Sequence, residues 1–152
     1  MLLKSGVPGI KEVYLADTGC ANFFTIVSVD QLYYAGNVRQ IIEACWSMGT
    51  SRDSKWVIVV DDIDIYDWKQ VTWALGTRVQ PHRDIAITDD RQTAINLDPS
   101  LDPSVRDYPF TRGSRIGIDA TTKFKGFEFA PLARPPQSEM QEVEKMWQEY
   151  GL

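Results

Sequence analysis

Lys55–Asp84 reads KWVIVVDDIDIYDWKQVTWALGTRVQPHRD, and its reading decides the fold. The apolar run Trp56 to Val60 stops at Asp61-Asp62. A short β-branched run bounded by charge predicts a buried strand. Asp67 then fits a helix N-cap, with Gln70 three residues on to complete a capping box. Trp68, Val71 and Leu75 supply that helix's apolar stripe, and Gly76 or Pro81 is expected to end it.

Working outward, Lys11–Ala16 and Phe23–Val29 are β-rich runs separated by the turn chemistry of Asp-Thr-Gly-Cys-Ala-Asn. Gly36–Gly49 reads as a helix, because Val38, Ile41, Ile42, Cys45 and Trp46 recur at helical spacing and Gly49 suits a C-cap. Asp84–Thr88 is a further strand. Asp89–Gly113 reads as a long loop with Pro99, Pro103 and Pro109, and Gly113–Thr121 alternates apolar Ile116 and Ile118. Residues 1–134 are therefore expected to form one α/β domain, a mixed and partly parallel sheet flanked by helices. Residues 135–152 read as a proline connector and an amphipathic helix over Ser138–Tyr150, capped by Ser138 and Gln141. Its face of Met140, Val143, Met146, Trp147 and Tyr150 is expected to dock on the same or a neighbouring subunit.

Composition excludes several function classes. The chain has 152 residues, 43% hydrophobic and 24% charged, which is ordinary for one globular domain. Its net charge of −5, with basic residues dispersed, argues against binding a nucleic-acid backbone. The opening MLLKSGVPG is too polar for a secretory leader, and no apolar run approaches the roughly 18 residues of a membrane span. Cys20 and Cys45 form no paired framework, so free thiols in the cytoplasm are expected. A single histidine, His82, makes a His/Cys metal site implausible and reads as a surface turn residue.

Candidate site residues are weighed by what their chemistry demands. Asp61, Asp62 and Asp64 would need to converge on one cation to bind metal; capping backbone N–H groups and pairing with Arg78 or Arg83 is the simpler expectation. A small hydrolase built on Asp62 and Asp64 is disfavoured on the same ground. Arg78 is expected to be buried with a bidentate carboxylate, and a clamp on a substrate carboxylate is its functional alternative. Phe23, Phe24, Trp46 and Trp73 read as core aromatics. Arg115 and Lys123 are candidates for an anion, or for contact with a partner.

The motifs together resemble the C-terminal domain of the UbiD family of prenylated-FMN-dependent decarboxylases. Asp61-Asp62-Ile63-Asp64, Asp67-Trp68 and Val71-Thr72-Trp73-Ala74-Leu75-Gly76-Thr77-Arg78-Val79-Gln80-Pro81, followed by Asp84, stand in family order. Gly113-Ser114-Arg115-Ile116-Gly117-Ile118-Asp119-Ala120-Thr121 is similar to the family's G-S-K-M-G-I/L-D-A-T, and Met146–Leu152 to its usual terminus. The resemblance implies a C-terminal domain or small subunit of a lyase acting on aromatic or α,β-unsaturated acids. It would contribute pocket wall and oligomer interface, without being catalytically competent alone. Prenylated FMN, a divalent metal, potassium and a Glu-Arg-Glu catalytic set would belong to an N-terminal domain or subunit, so no catalytic, cofactor or metal residue is assigned to this chain. Alignment with the family places substrate contacts at Thr93 and Ile95, with Trp56 as a further candidate. An assembly module that keeps the fold without the activity is the alternative.

Overall fold

A computed structural model describes residues 7–30, 37–47, 54–92, 98–105, 112–123, 128–130, 133 and 135–147. β1 (Ile10–Leu15), β2 (Phe24–Val29), β3 (Trp56–Val60), β4 (Ile85–Gln92) and β5 (Arg112–Asp119) make one sheet in the order β1-β2-β3-β5-β4. The three inner strands are parallel to one another, and β1 and β4 run antiparallel at the edges. The expected mixed α/β architecture is present.

Alternation along the inner strands builds two cores. Val27, Val29, Val57 and Val59 face α1 (Asn37–Ser47), meeting its buried Val38, Ile41, Ile42 and Cys45. Ile26, Ile58, Val60 and Ile118 face the other way, where α2 (Trp68–Arg78) brings Val71 and Ala74. A strand covered on both faces reads as a continuous apolar run, as β3 does. Each fully buried Val or Ile contributes about 1.5–3 kcal/mol of burial. Cys45 sits inside the α1 core, where burial pushes its thiol up to about 12 and leaves it unreactive.

Gly117 in β5 packs directly beneath Ile42 of α1. A Cβ there would meet Ile42 at 2.9 Å from Cδ1 and nearer still to Cγ2. Gly117→Ala is expected to lower unfolding free energy by about 1–3 kcal/mol through overpacking. An unchanged urea midpoint would mean that α1 can slide away from the sheet.

Several boundaries differ from the sequence reading. α2 runs past Gly76 to Arg78 and stops at an extended Val79, with Pro81 opening a separate short helix α3 (Pro81–Asp84). Gly76 points into open space, so nothing there compels a C-cap. The expected loop is shorter at both ends, because β4 continues to Gln92 and β5 begins at Arg112. The polar residues Thr88-Asp89-Asp90 suit an edge strand that bulges between Thr88 and Arg91. The last helix, α4 (Gln137–Lys145), starts directly after an extended Pro136 that makes no side-chain cap, so Ser138 lies inside it. Met140 and Val143 in it, and Met146 and Trp147 just past its end, are exposed, while Tyr150 and the expected C-cap Gly49 lie outside the described residues. Phe23, Phe24, Trp46 and Trp73 are half-buried rather than enclosed.

Candidate functional site

β3 delivers Asp61 and Asp62 to its C-terminal end, and the last turn of α2 brings Arg78 against both. Arg78 is 7% exposed and grips Asp62 with two bonds, Nη1 to Oδ1 at 2.6 Å and Nη2 to Oδ2 at 3.0 Å. Its Nη1 also lies 3.4 Å from Asp61 Oδ1, and its guanidinium stacks 4.8 Å from the centre of the Trp73 ring. Asp61 accepts from the Thr122 amide at 3.0 Å and from the Thr122 hydroxyl. Burial pushes the Asp61 carboxyl above its usual value, and the Thr122 bonds only partly oppose this. Asp62 also loses hydration, but the Arg78 bonds and charge outweigh that and hold its carboxyl low.

The remaining acids of the segment order the turn into α2. Asp64 accepts from the Tyr66 amide at 2.9 Å, and Asp67 caps α2 through the Lys69 amide at 2.8 Å. Gln70 departs from the expected capping box. Its side-chain amide donates to the Asp67 carboxylate at 3.0 Å, and its oxygen accepts from the Asp64 amide at 3.3 Å.

A second cluster lies beside the first. Lys123 follows β5 in a left-handed conformation at φ 69° and is 7% exposed. Its Nζ donates to the Asp119 carbonyl at 2.6 Å and lies 3.1 Å from Asp119 Oδ1 and 3.4 Å from Asp84 Oδ2. Asp84 also takes Arg83 Nε and Nη2 at 2.7 Å each, and the Gln80 amide at 2.7 Å. Lys123 is thus held inside the fold rather than left open for an anion. Arg115 is likewise buried and donates to the Trp46 carbonyl at 3.1 Å, tying β5 to α1.

These ionisations give the acid limb of stability a definite sign. Desolvation raises Asp84 and Asp98, but Arg83 bonds at the former and Ser100 and Lys55 bonds at the latter bring both below the usual 3.8. Depressed carboxyls contribute stability above 3.8 that is lost as pH falls through their folded values. Asp61, being raised, acts oppositely and softens the loss. The urea midpoint is expected to drop as pH falls below about 4, and less steeply in Asp84→Asn. Equal slopes in the two proteins would rule out Asp84 as a source.

The Asp62–Arg78 pair borders an open groove of about 790 Å³ between α2 and the segment carrying Phe129, Ala130 and Ala133. Trp73 and Ile63 give it apolar walls, and Lys69 stands on its rim. Trp56 is not part of it. That residue opens β3, about 13 Å from the strand's other end at 3.3 Å per residue, and stacks on Phe24 at 5.5 Å between ring centres. Thr93 and Ile95 lie outside the described residues. His82 is exposed, as expected of a turn residue. Thr122, and the use of Trp73 as a groove wall, were not legible in the sequence, because neither stands beside its partners along the chain.

Comparison with known proteins places this arrangement. The family model described as the 3-octaprenyl-4-hydroxybenzoate carboxy-lyase C-terminal domain matches residues 1–120. The chain belongs to the UbiD C-terminal domain family. This UbiD C-terminal domain is similar to the UbiD-class enzyme HmfF of Pelotomaculum thermopropionicum, solved in complex with FMN. The TM-score is 0.71 and identity 28%, over 94% of this chain and 30% of that one. It is also similar to the vanillic acid decarboxylase of Sedimentibacter hydroxybenzoicus in open form, with a TM-score of 0.71 and 28% identity over 99% of this chain and 31% of that one. Apo 3,4-dihydroxybenzoic acid decarboxylase of Klebsiella pneumoniae matches with a TM-score of 0.65 and 27% identity, over 88% of this chain and 28% of that one. The chain spans less than a third of the length of each.

The acids described at the end of β3 and in α3 are engaged within the fold. Asp61, Asp62 and Asp84 already turn their oxygens onto Arg78, Thr122, Arg83 and Lys123, so they offer no open donor set to a divalent cation. Among the described residues no three His, Cys, Asp or Glu side chains gather as a metal cluster. No helix among them is long and apolar enough to cross a membrane.

Proposed function

We propose that this chain is the C-terminal domain or small subunit of a UbiD-type decarboxylase acting on aromatic or α,β-unsaturated carboxylic acids. The observation that carries the reading is the pairing of coverages: 94–99% of this chain aligns with about 30% of enzymes that include an FMN complex and a vanillic acid decarboxylase. The remainder of such an enzyme, as a domain or separate subunit, would carry prenylated FMN with its divalent metal and potassium. In that chemistry the cofactor performs the covalent work while the protein orients and desolvates the substrate. A cytoplasmic setting suits the two unpaired cysteines.

This chain would supply substrate-pocket wall and assembly surface. Trp56, with Thr93 and Ile95, is the proposed contact to substrate. Trp56 is in register with Ile116, and Ile116 with Ile87, whose side chain is 63% exposed. Trp56 and Ile116 are half-buried at the margin of the core that α2 covers. The purified chain, with or without added prenylated FMN, is expected to release no CO2 from aromatic acids, and its flavin-bearing counterpart should restore turnover. Turnover by the chain alone would overturn the reading.

The exposed stripe Met140, Val143, Met146 and Trp147 favours a second reading, an assembly module whose terminal arm docks on the same or a neighbouring subunit. A stable homo-oligomer that ignores the flavin-bearing counterpart would select it.

A further inference from the structure

Beyond β4, Leu97-Asp98-Pro99-Ser100 is followed at once by a tandem copy, Leu101-Asp102-Pro103-Ser104. Both copies close the same turn. Asp98 Oδ1 accepts from the Ser100 amide at 2.9 Å and hydroxyl at 2.8 Å, and Asp102 Oδ1 accepts from the Ser104 amide at 2.8 Å and hydroxyl at 2.7 Å. Lys55 engages the first copy. Its Nζ donates to the two Asp98 oxygens at 3.0 and 3.3 Å and to Ser100 Oγ at 2.6 Å. Asp98 is buried there, whereas Asp102 and Ser104 are exposed. The lysine backbone is fixed at the entry to β3, its amide donating to the Phe23 carbonyl at 3.0 Å and its carbonyl accepting from the Ile116 amide at 2.8 Å. One anchored ammonium thus has two seats of identical chemistry, four residues apart on the same chain.

Chain length permits an exchange of seats. Gln92 and Arg112 are paired across β4 and β5, so the loop leaves and returns at one place. Moving Lys55 to the second copy lengthens the connection from Gln92 from five residues to nine and shortens the connection to Arg112 from eleven to seven. Each change alters loop-closure probability about twofold, in opposite directions, so the two nearly cancel. Trp56 is level with Ile116 in the parallel pairing, which puts Arg112 about 10 Å along the sheet from Lys55 at roughly 3.3 Å per residue. Seven extended residues reach roughly 25 Å, well beyond that separation.

We infer that the clasp has two registers, with Lys55 seated mainly on Asp98–Ser100 and in a minor state on Asp102–Ser104. The device sets how much chain lies between β4 and the clasp. It does not depend on the decarboxylase reading, because it concerns this chain without flavin. The Lys55 ammonium is followed in the full chain by nitrogen-15 saturation-transfer NMR. A second state at about 0.1–10% is expected in the wild type. It should vanish in Asp102→Asn and become the major state in Asp98→Asn. Deleting Leu101–Ser104 leaves one copy and should leave one state. Urea unfolding supplies an independent readout. In the Asp98→Asn background, Lys55→Met and Asp102→Asn should couple by about two- to fivefold in the unfolding constant, as a partly exposed ion pair does. Other contacts of Asp102 cancel in that cycle. The proposal is overturned by a single Lys55 state in the wild type, by a second state that persists in Asp102→Asn, or by additive effects in the cycle.

Discussion

Arg78→Ala should lower the unfolding free energy by about 3–5 kcal/mol, the range for removing one member of a buried ion pair. The Arg78 side chain is 8% exposed and that of Asp61 is 4%, so the substitution strands the Asp61 carboxylate without a cation. Asp62 contributes little to this cost, because its side chain is 52% exposed and water can replace the guanidinium. Loss of stacking on Trp73 adds about 0.5–1 kcal/mol. Neutralising the stranded acid should therefore recover stability: Arg78→Ala with Asp61→Asn is expected to be more stable than Arg78→Ala alone. Equilibrium urea unfolding of the four proteins in that cycle measures the coupling. A normal melting profile for Arg78→Ala, combined with weakened substrate binding in the complete enzyme, would instead assign Arg78 as a clamp on a substrate carboxylate.

Lys123→Met should cost about 3 kcal/mol, at the lower end of that range. The methionine keeps most of the apolar stem but removes the charge from a side chain only 6% exposed. Asp84, at 4% exposure, then relies on Arg83 and the Gln80 amide, which is why the loss stays at the lower end. The Asp119 carbonyl also loses its donor. Adding Asp84→Asn to Lys123→Met should return part of the stability. Additive effects of the two substitutions would show that they do not share a network.

Local readings held where one element carried its own signal. Trp56–Val60 is covered on both faces, so its apolar run needed no knowledge of its neighbours. The Asp67 cap acts within one turn of the chain. The Arg78 partner was legible as a class, since a buried guanidinium requires a carboxylate, and the acids at the end of β3 were the nearest supply. The Lys123 pairing was not legible because its partner Asp84 reaches it only after β4 and β5 pair. Gln70 and Ser138 matched a capping pattern, but a proline before α4 and the nearby Asp67 carboxylate offered the backbone and side chain better alternatives.

By itself, then, the order of residues determined the strands, two of the helix faces, the demand for an acid beside Arg78 and the family resemblance, all of which depend on short-range periodicity and motif spacing. Tertiary structure alone decided the strand order, the Thr122 bond to Asp61, the Lys123 cage and the groove along Trp73. Each of those joins residues distant in sequence. Their energies arise from desolvation and close approach, which exist only once the sheet has brought the strands together.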